Sequence, residues 1–161
     1  MKLLKNLILL AVFFTAFSLA KAQDLKPLKE DVLNEILSES DNKIVVINLW
    51  AFWCQPCKEE FPDLVKFGEE NKDKSKLVLV SLDDKSDLET KTKPFLVKNN
   101  VNYTSYYNDF DKDEKLIKML DENWEGAIPS TFFFKNGKLV KTLTGKQTEK
   151  DFQKAYNDVN N

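Results

Sequence analysis

Along the chain the apolar residues change their spacing repeatedly, and each change marks a new element. Leu28, Val32, Leu33, Ile36 and Leu37 recur at helical intervals among Lys and Glu, so residues 25–40 are expected to form a helix. Asp41-Asn42-Lys43 breaks that pattern. The run Ile44-Val45-Val46-Ile47-Asn48-Leu49 is continuous, β-branched and too short for a helix, which predicts a buried strand over 44–50. Helical spacing returns with Phe61, Leu64, Val65 and Phe67 and should end near Gly68, with a kink at Pro62. Residues 76–82 are a second buried strand. Two such strands joined by a helix make a parallel unit with a right-handed crossover.

The second half is more mixed. Residues 88–99 are expected to be helical, with Pro94 limiting their regularity. Residues 101–107, rich in Tyr and Thr, have the character of an edge strand or an extended segment. Leu116, Ile117, Met119 and Leu120 suggest a short helix over 112–122, followed by a Trp124-Glu125-Gly126-Ala127 loop. Residues 131–134 and 138–143 are strands joined through Asn136-Gly137, a strong hairpin signal. A final helix over 148–159 begins with a Thr148-x-x-Asp151 cap. With no repeat, low-complexity tract or linker, residues 23–161 read as one domain.

Residues 1–22 follow a different rule. Lys2 and Lys5 precede an apolar stretch from Leu7 to Leu19, and Ala20-Lys21-Ala22 fits a small-x-small cleavage site before Gln23. This reads as a secretory signal peptide; the apolar run is short for a spanning helix, and an uncleaved N-terminal membrane anchor is the alternative. Removing it takes away Lys2, Lys5 and Lys21 and no acid, so the net charge of −2 becomes three units more negative. That balance lacks the basic footprint of a nucleic-acid binder. The chain has no histidine, which excludes Ser–His and Cys–His catalysis and every His-ligated metal site. Its 2 cysteines cannot form a four-cysteine zinc site, and no metal or other cofactor is expected.

Those cysteines are Cys54 and Cys57, placed where strand hands over to helix. Unpaired N–H groups and the positive dipole end of a helix favour a thiolate on Cys54. Cys57, one turn further on, can attack a mixed disulfide formed there. A purely structural disulfide, common in exported proteins, is the alternative.

Trp50-Ala51-Phe52-Trp53-Cys54-Gln55-Pro56-Cys57 resembles the W-x-x-W-C-x-P-C active site of thioredoxins. Together with Ile128-Pro129-Ser130-Thr131, a hairpin and a last helix, the segment from about residue 43 to 160 is similar to exported thioredoxin-like proteins of the TlpA/ResA type. The resemblance implies an α/β thioredoxin-like fold: a central mixed β-sheet flanked by helices, with an inserted helical and extended segment before the cis-proline strand. It implies Cys54 as an exposed nucleophile and Cys57 as the buried resolving thiol, the two forming a redox-active disulfide. Trp53, Ile128 and Pro129 would bind substrate, Pro129 as the family's cis-proline; an ordinary trans turn is the alternative. Glu60, in Cys57-Lys58-Glu59-Glu60-Phe61-Pro62, would tune the cysteine pKa values and transfer protons, unless it is simply a solvated helix residue. Asn48 stands where cytosolic thioredoxins carry a buried aspartate, and an amide cannot do that work. Two departures stand out: the type often begins with a β-hairpin where residues 27–40 here read as a helix, and Ser130 replaces a common threonine.

The activity expected is that of an exported, periplasmic or otherwise extracytoplasmic thiol–disulfide oxidoreductase. It would be a monomer that reduces protein disulfides, apocytochrome c among its candidate substrates in cytochrome c maturation. Its electrons would come from a membrane thiol-relay donor of the DsbD/CcdA kind. Gln55-Pro56 resembles reducing members, whereas DsbA-like oxidants place a histidine between the cysteines. Three alternatives are a disulfide-forming oxidase, a thiol peroxidase and a non-enzymatic Cu(I)-binding module. Peroxiredoxins carry threonine where this chain has Ala51.

Overall fold

A computed structural model describes residues 23–38 and 43–160. The expected signal peptide and the break at Asp41 and Asn42 lie outside them. The central strand is β2, Ile44–Trp50, with every residue buried. It runs parallel to β3, Ser75–Ser81, from Ile44 opposite Ser75 to Trp50 opposite Ser81. On its other side it runs antiparallel to β5, Ser130–Lys135, with Asn48 opposite Thr131. A strand enclosed by partners and covered on both faces must be apolar at every position, which explains the unbroken run. Between β2 and β3 lies α2, Gln55–Glu70.

With β1, Leu25–Leu28, β4, Ser105–Asn108, and β6, Lys138–Thr144, the six strands among the described residues take the order β1-β4-β3-β2-β5-β6, a mixed sheet. Successive residues point to opposite faces, so β2 and β5 each feed two cores. Val46, Trp50 and Phe133 face Phe61, Leu64, Phe67, Phe152 and Tyr156. These come from α2 and from α5, Glu149–Asn160. Val45, Ile47, Leu49, Phe132 and Phe134 face Leu33 and Ile36 of α1, Glu30–Ser38, and Leu116 and Leu120 of α4, Asp113–Leu120. Gly68 shows how closely α2 packs: a Cβ there would stand 2.5 Å from the Leu77 Cδ2. The helix continues two residues past this glycine and runs unbroken through Pro62.

Two expectations need correction. The helix does not begin at residue 25: Leu25–Leu28 form β1, parallel to β4, Ser105–Asn108, and α1 starts at Glu30. Pro27 is the reason, since proline pushes its predecessor out of helical space and is accepted on an edge strand. Second, β4 is not an edge but lies between β1 and β3. Residues 88–98 are helical as expected, and the irregularity falls just before Pro94. A short turn at Lys85–Asp87 leads into a π-helical turn at Leu88–Thr92, and α3 covers only Lys93–Lys98. The Lys93 N–H reaches back five residues to the Leu88 carbonyl, just before Pro94, which has no N–H to give.

The C-terminal half follows its local signals. Asn136 and Gly137, at φ 53° and 72°, turn β5 into β6, Lys138–Thr144. At the start of α5 the Thr148 N–H and hydroxyl both donate to Asp151 Oδ2, at 2.9 and 2.6 Å. The Asp151 N–H returns to Thr148 Oγ1 at 3.4 Å. Thr148→Ala should therefore cost about 1 kcal/mol in denaturant unfolding; an unchanged midpoint would mean the cap contributes nothing.

Candidate functional site

The site forms where β2 ends. Three bonds fix the turn that follows it. The Leu82 N–H donates to the Trp50 carbonyl (2.8 Å), the Phe52 N–H to Asp83 Oδ1 (2.8 Å), and the Cys54 N–H to the Ala51 carbonyl (3.1 Å). Cys54 then caps α2 in extended conformation, its Sγ accepting from the Cys57 N–H at 3.3 Å. Pro56 sits in the first turn, where its missing N–H costs nothing. Cys54 and Cys57 are joined as a disulfide, so each sulfur stands for the oxidised state of a thiol.

The structure corrects the expected exposure of the nucleophile. Cys54 is 5% exposed and Cys57 wholly buried. The accessible group is Trp53, 65% exposed. What partly covers Cys54 is the loop before β5: the Ile128 carbonyl oxygen lies 3.7 Å from its Sγ. The Ile128–Pro129 peptide is cis, and the Pro129 carbonyl accepts from the Gly145 N–H at 2.8 Å. Trp53, Cys54, Cys57, Ile128 and Pro129 thus lie around one end of α2. Trp50, by contrast, is core, its ring 4.8 Å from that of Phe61.

Glu60 is not solvated; it is 2% exposed. Its Oε1 accepts from the Asn48 amide at 3.0 Å and its Oε2 from the Gln147 N–H at 2.9 Å. Asn48 also donates to Thr131 Oγ1 at 2.9 Å, its neighbour across the β2–β5 ladder. Alternation along β2 puts Asn48 on the Val46 and Trp50 face, the one covered by α2. Burial pushes the Glu60 carboxyl up to about 7, against the lowering effect of the Gln147 and Asn48 bonds, with a smaller upward push from Asp63. The carboxyl therefore exchanges its proton near neutrality. Its neighbour Glu59 faces solvent, where the Lys146 ammonium and the Gln55 amide hold it below the usual carboxylate range.

Sequence reasoning missed four contributors. Gln147 and Thr131 contact the Glu60 cluster from more than 80 residues away, and nothing local marks them. Trp124, read as a loop residue, is buried. Asp83 joins the active-site turn to the π-helical turn. Besides Phe52 it accepts from Ser81 Oγ and Thr92 Oγ1, both at 2.7 Å. A legible signal for Asp83 existed: an acid just past the carboxyl end of a parallel strand, where α/β sheets place their sites.

Comparison with known proteins agrees with this geometry. Residues 18–142 match the AhpC/TSA family. The chain is 30% identical to the thiol–disulfide oxidoreductase ResA of Oceanobacillus iheyensis, over 84% of its own length and 68% of that protein. It is also 30% identical to ResA of Bacillus subtilis, over 70% and 59%. A DsbF homologue from Corynebacterium diphtheriae superposes with a TM-score of 0.63 at 26% identity, over 76% of this chain and 75% of that one.

Proposed function

The chain belongs to the AhpC/TSA family and is, in class, a thiol–disulfide oxidoreductase of thioredoxin fold, and from that premise we propose that it works as an exported reductant of protein disulfides. The observation that carries the reading is the Cys54–Cys57 pair at the start of α2, with the Ile128 carbonyl 3.7 Å from Cys54 Sγ and Glu60, one turn further along the helix, buried against Asn48 and Gln147. In the reduced protein the Cys54 thiolate attacks one sulfur of a substrate disulfide, and the other sulfur leaves as a thiolate. Cys57 gives up its proton and attacks Cys54 Sγ. The second substrate sulfur is released, and the intramolecular disulfide seen here is formed. Trp53 and the Ile128-Pro129 loop seat the substrate chain, and Glu60 takes and returns the proton of the resolving step.

Gln55-Pro56 supports the reducing direction, and the signal-like residues 1–22 support action outside the cytoplasm, where no soluble reductant pool re-reduces the pair. A membrane thiol relay of the DsbD/CcdA kind would supply the electrons. Apocytochrome c segments with paired cysteines are the substrates the resemblance favours, which ties the protein to cytochrome c maturation. Among the described residues no helix is long and apolar enough to cross a membrane. Equilibration against glutathione or dithiothreitol tests the direction. A potential toward the thioredoxin end, about −270 mV, is expected; one near the DsbA end, about −120 mV, would make the protein an oxidase.

A further inference from the structure

We propose that Trp124 is a positioning residue that holds the loop before Pro129 as a fixed rail for polypeptide substrates, so that it governs reduction of protein disulfides and not of small ones. This rests on the reductase reading of the same site. Glu125, Gly126 and Ala127 are exposed, yet they lead directly to Ile128, whose carbonyl lies 3.7 Å from Cys54 Sγ. An exposed loop beside a reactive sulfur is ordinarily mobile. This one is tied down from inside. Trp124 is 8% exposed, with its ring edge-on to Phe132 at 5.5 Å. Its indole N–H donates to the Ala127 carbonyl (2.9 Å) and to Ser130 Oγ (3.0 Å), one acceptor on each side of the Ile128–Pro129 peptide. The Ser130 hydroxyl also donates to the Ala127 carbonyl, at 2.7 Å.

The other buried tryptophan gives a control within the same molecule. Trp50 fills the aromatic cluster with Phe61 and Phe95, and its N–H has no hydrogen-bond partner among the described residues. Packing alone accounts for Trp50. Trp124 spends its only polar atom on the two ends of one short loop, which packing does not require. A small disulfide needs only access to the Cys54 sulfur. A polypeptide must also lay its chain along backbone 126–128, where a displacement of about 1 Å can cost a large factor in rate.

The test uses the full chain, reduced beforehand, reacting with insulin and with hydroxyethyl disulfide. Trp124→Phe keeps a ring against Phe132 and removes the N–H. Its rate constant with insulin should fall about tenfold, while that with hydroxyethyl disulfide stays within about twofold of wild type. Equal losses on both substrates, or no loss on insulin, would overturn the proposal. Should that variant fail to fold, Ser130→Ala, which leaves the indole in place and removes one anchor, is judged by the same ratio. A wild-type chain inert toward both disulfides refutes the reductase reading instead, so the two failures are distinct.

Discussion

Replacing Cys54 with serine is expected to abolish disulfide exchange, by about a thousandfold or more, because a hydroxyl cannot form the thiolate that attacks sulfur. Cys57→Ser should behave differently. It still attacks through Cys54 but cannot resolve the product, so substrate accumulates as a mixed disulfide on Cys54. The geometry gives the asymmetry its direction. Cys54 is the helix cap beside the Ile128 carbonyl, whereas Cys57 is enclosed by core and reached only by its neighbour. Non-reducing electrophoresis with mass spectrometry of trapped species reads both variants. Trapping by Cys54→Ser rather than by Cys57→Ser would reverse the roles assigned to the pair.

The second large effect concerns pH. The Glu60 carboxyl stands at about 7 in the folded, oxidised protein against an ordinary value of 4.5, so the folded state holds this proton more tightly than the unfolded chain. Stability from this group is full below about pH 4.5 and is lost as pH rises through 7, by about 3 kcal/mol in all. Between pH 5 and 8 the oxidised wild type should lose about 2–3 kcal/mol more than Glu60→Gln, in paired denaturant titrations. Parallel curves for the two proteins would show that Glu60 titrates in its usual range. The same substitution should remove an inflection near pH 7 from the rate at which Cys57 resolves a mixed disulfide.

Much of this fold was written locally in the chain. The β2 run, the C-x-x-C at a helix start, the Asn136-Gly137 turn and the Thr148 cap each follow from a few adjacent residues. What was illegible depended on partners distant in sequence. Leu25 and Leu28 fit a helical spacing; Pro27 argues locally against a helix there, but the partner strand β4 that pairs with Leu25–Leu28 lies far along the chain. Residues 101–107 looked peripheral because nothing in them announces that β1 returns to cover their outer side. Glu60 could be read as a solvated residue because its burial comes from Asn48 and Gln147, brought in by β2 and by the turn after β6. Trp124 had a faint signal, a large aromatic within a polar loop, but its two acceptors become neighbours only when the chain bends at Ile128-Pro129.

The placing of Pro27 on the outermost strand bears on which chains this protein can capture. A bare sheet margin is a template onto which any extended polypeptide can add itself. Here one margin carries a proline that cannot donate to a further strand, and the opposite margin, β6, carries Lys138 and Lys141 and a register irregularity in its pairing. For a protein that acts on polypeptide disulfides, as proposed, indiscriminate strand addition would hold its substrates far from the sulfur. With both margins blunted among the described residues, the docking proposed for the loop beside Cys54 meets little competition from the sheet edges.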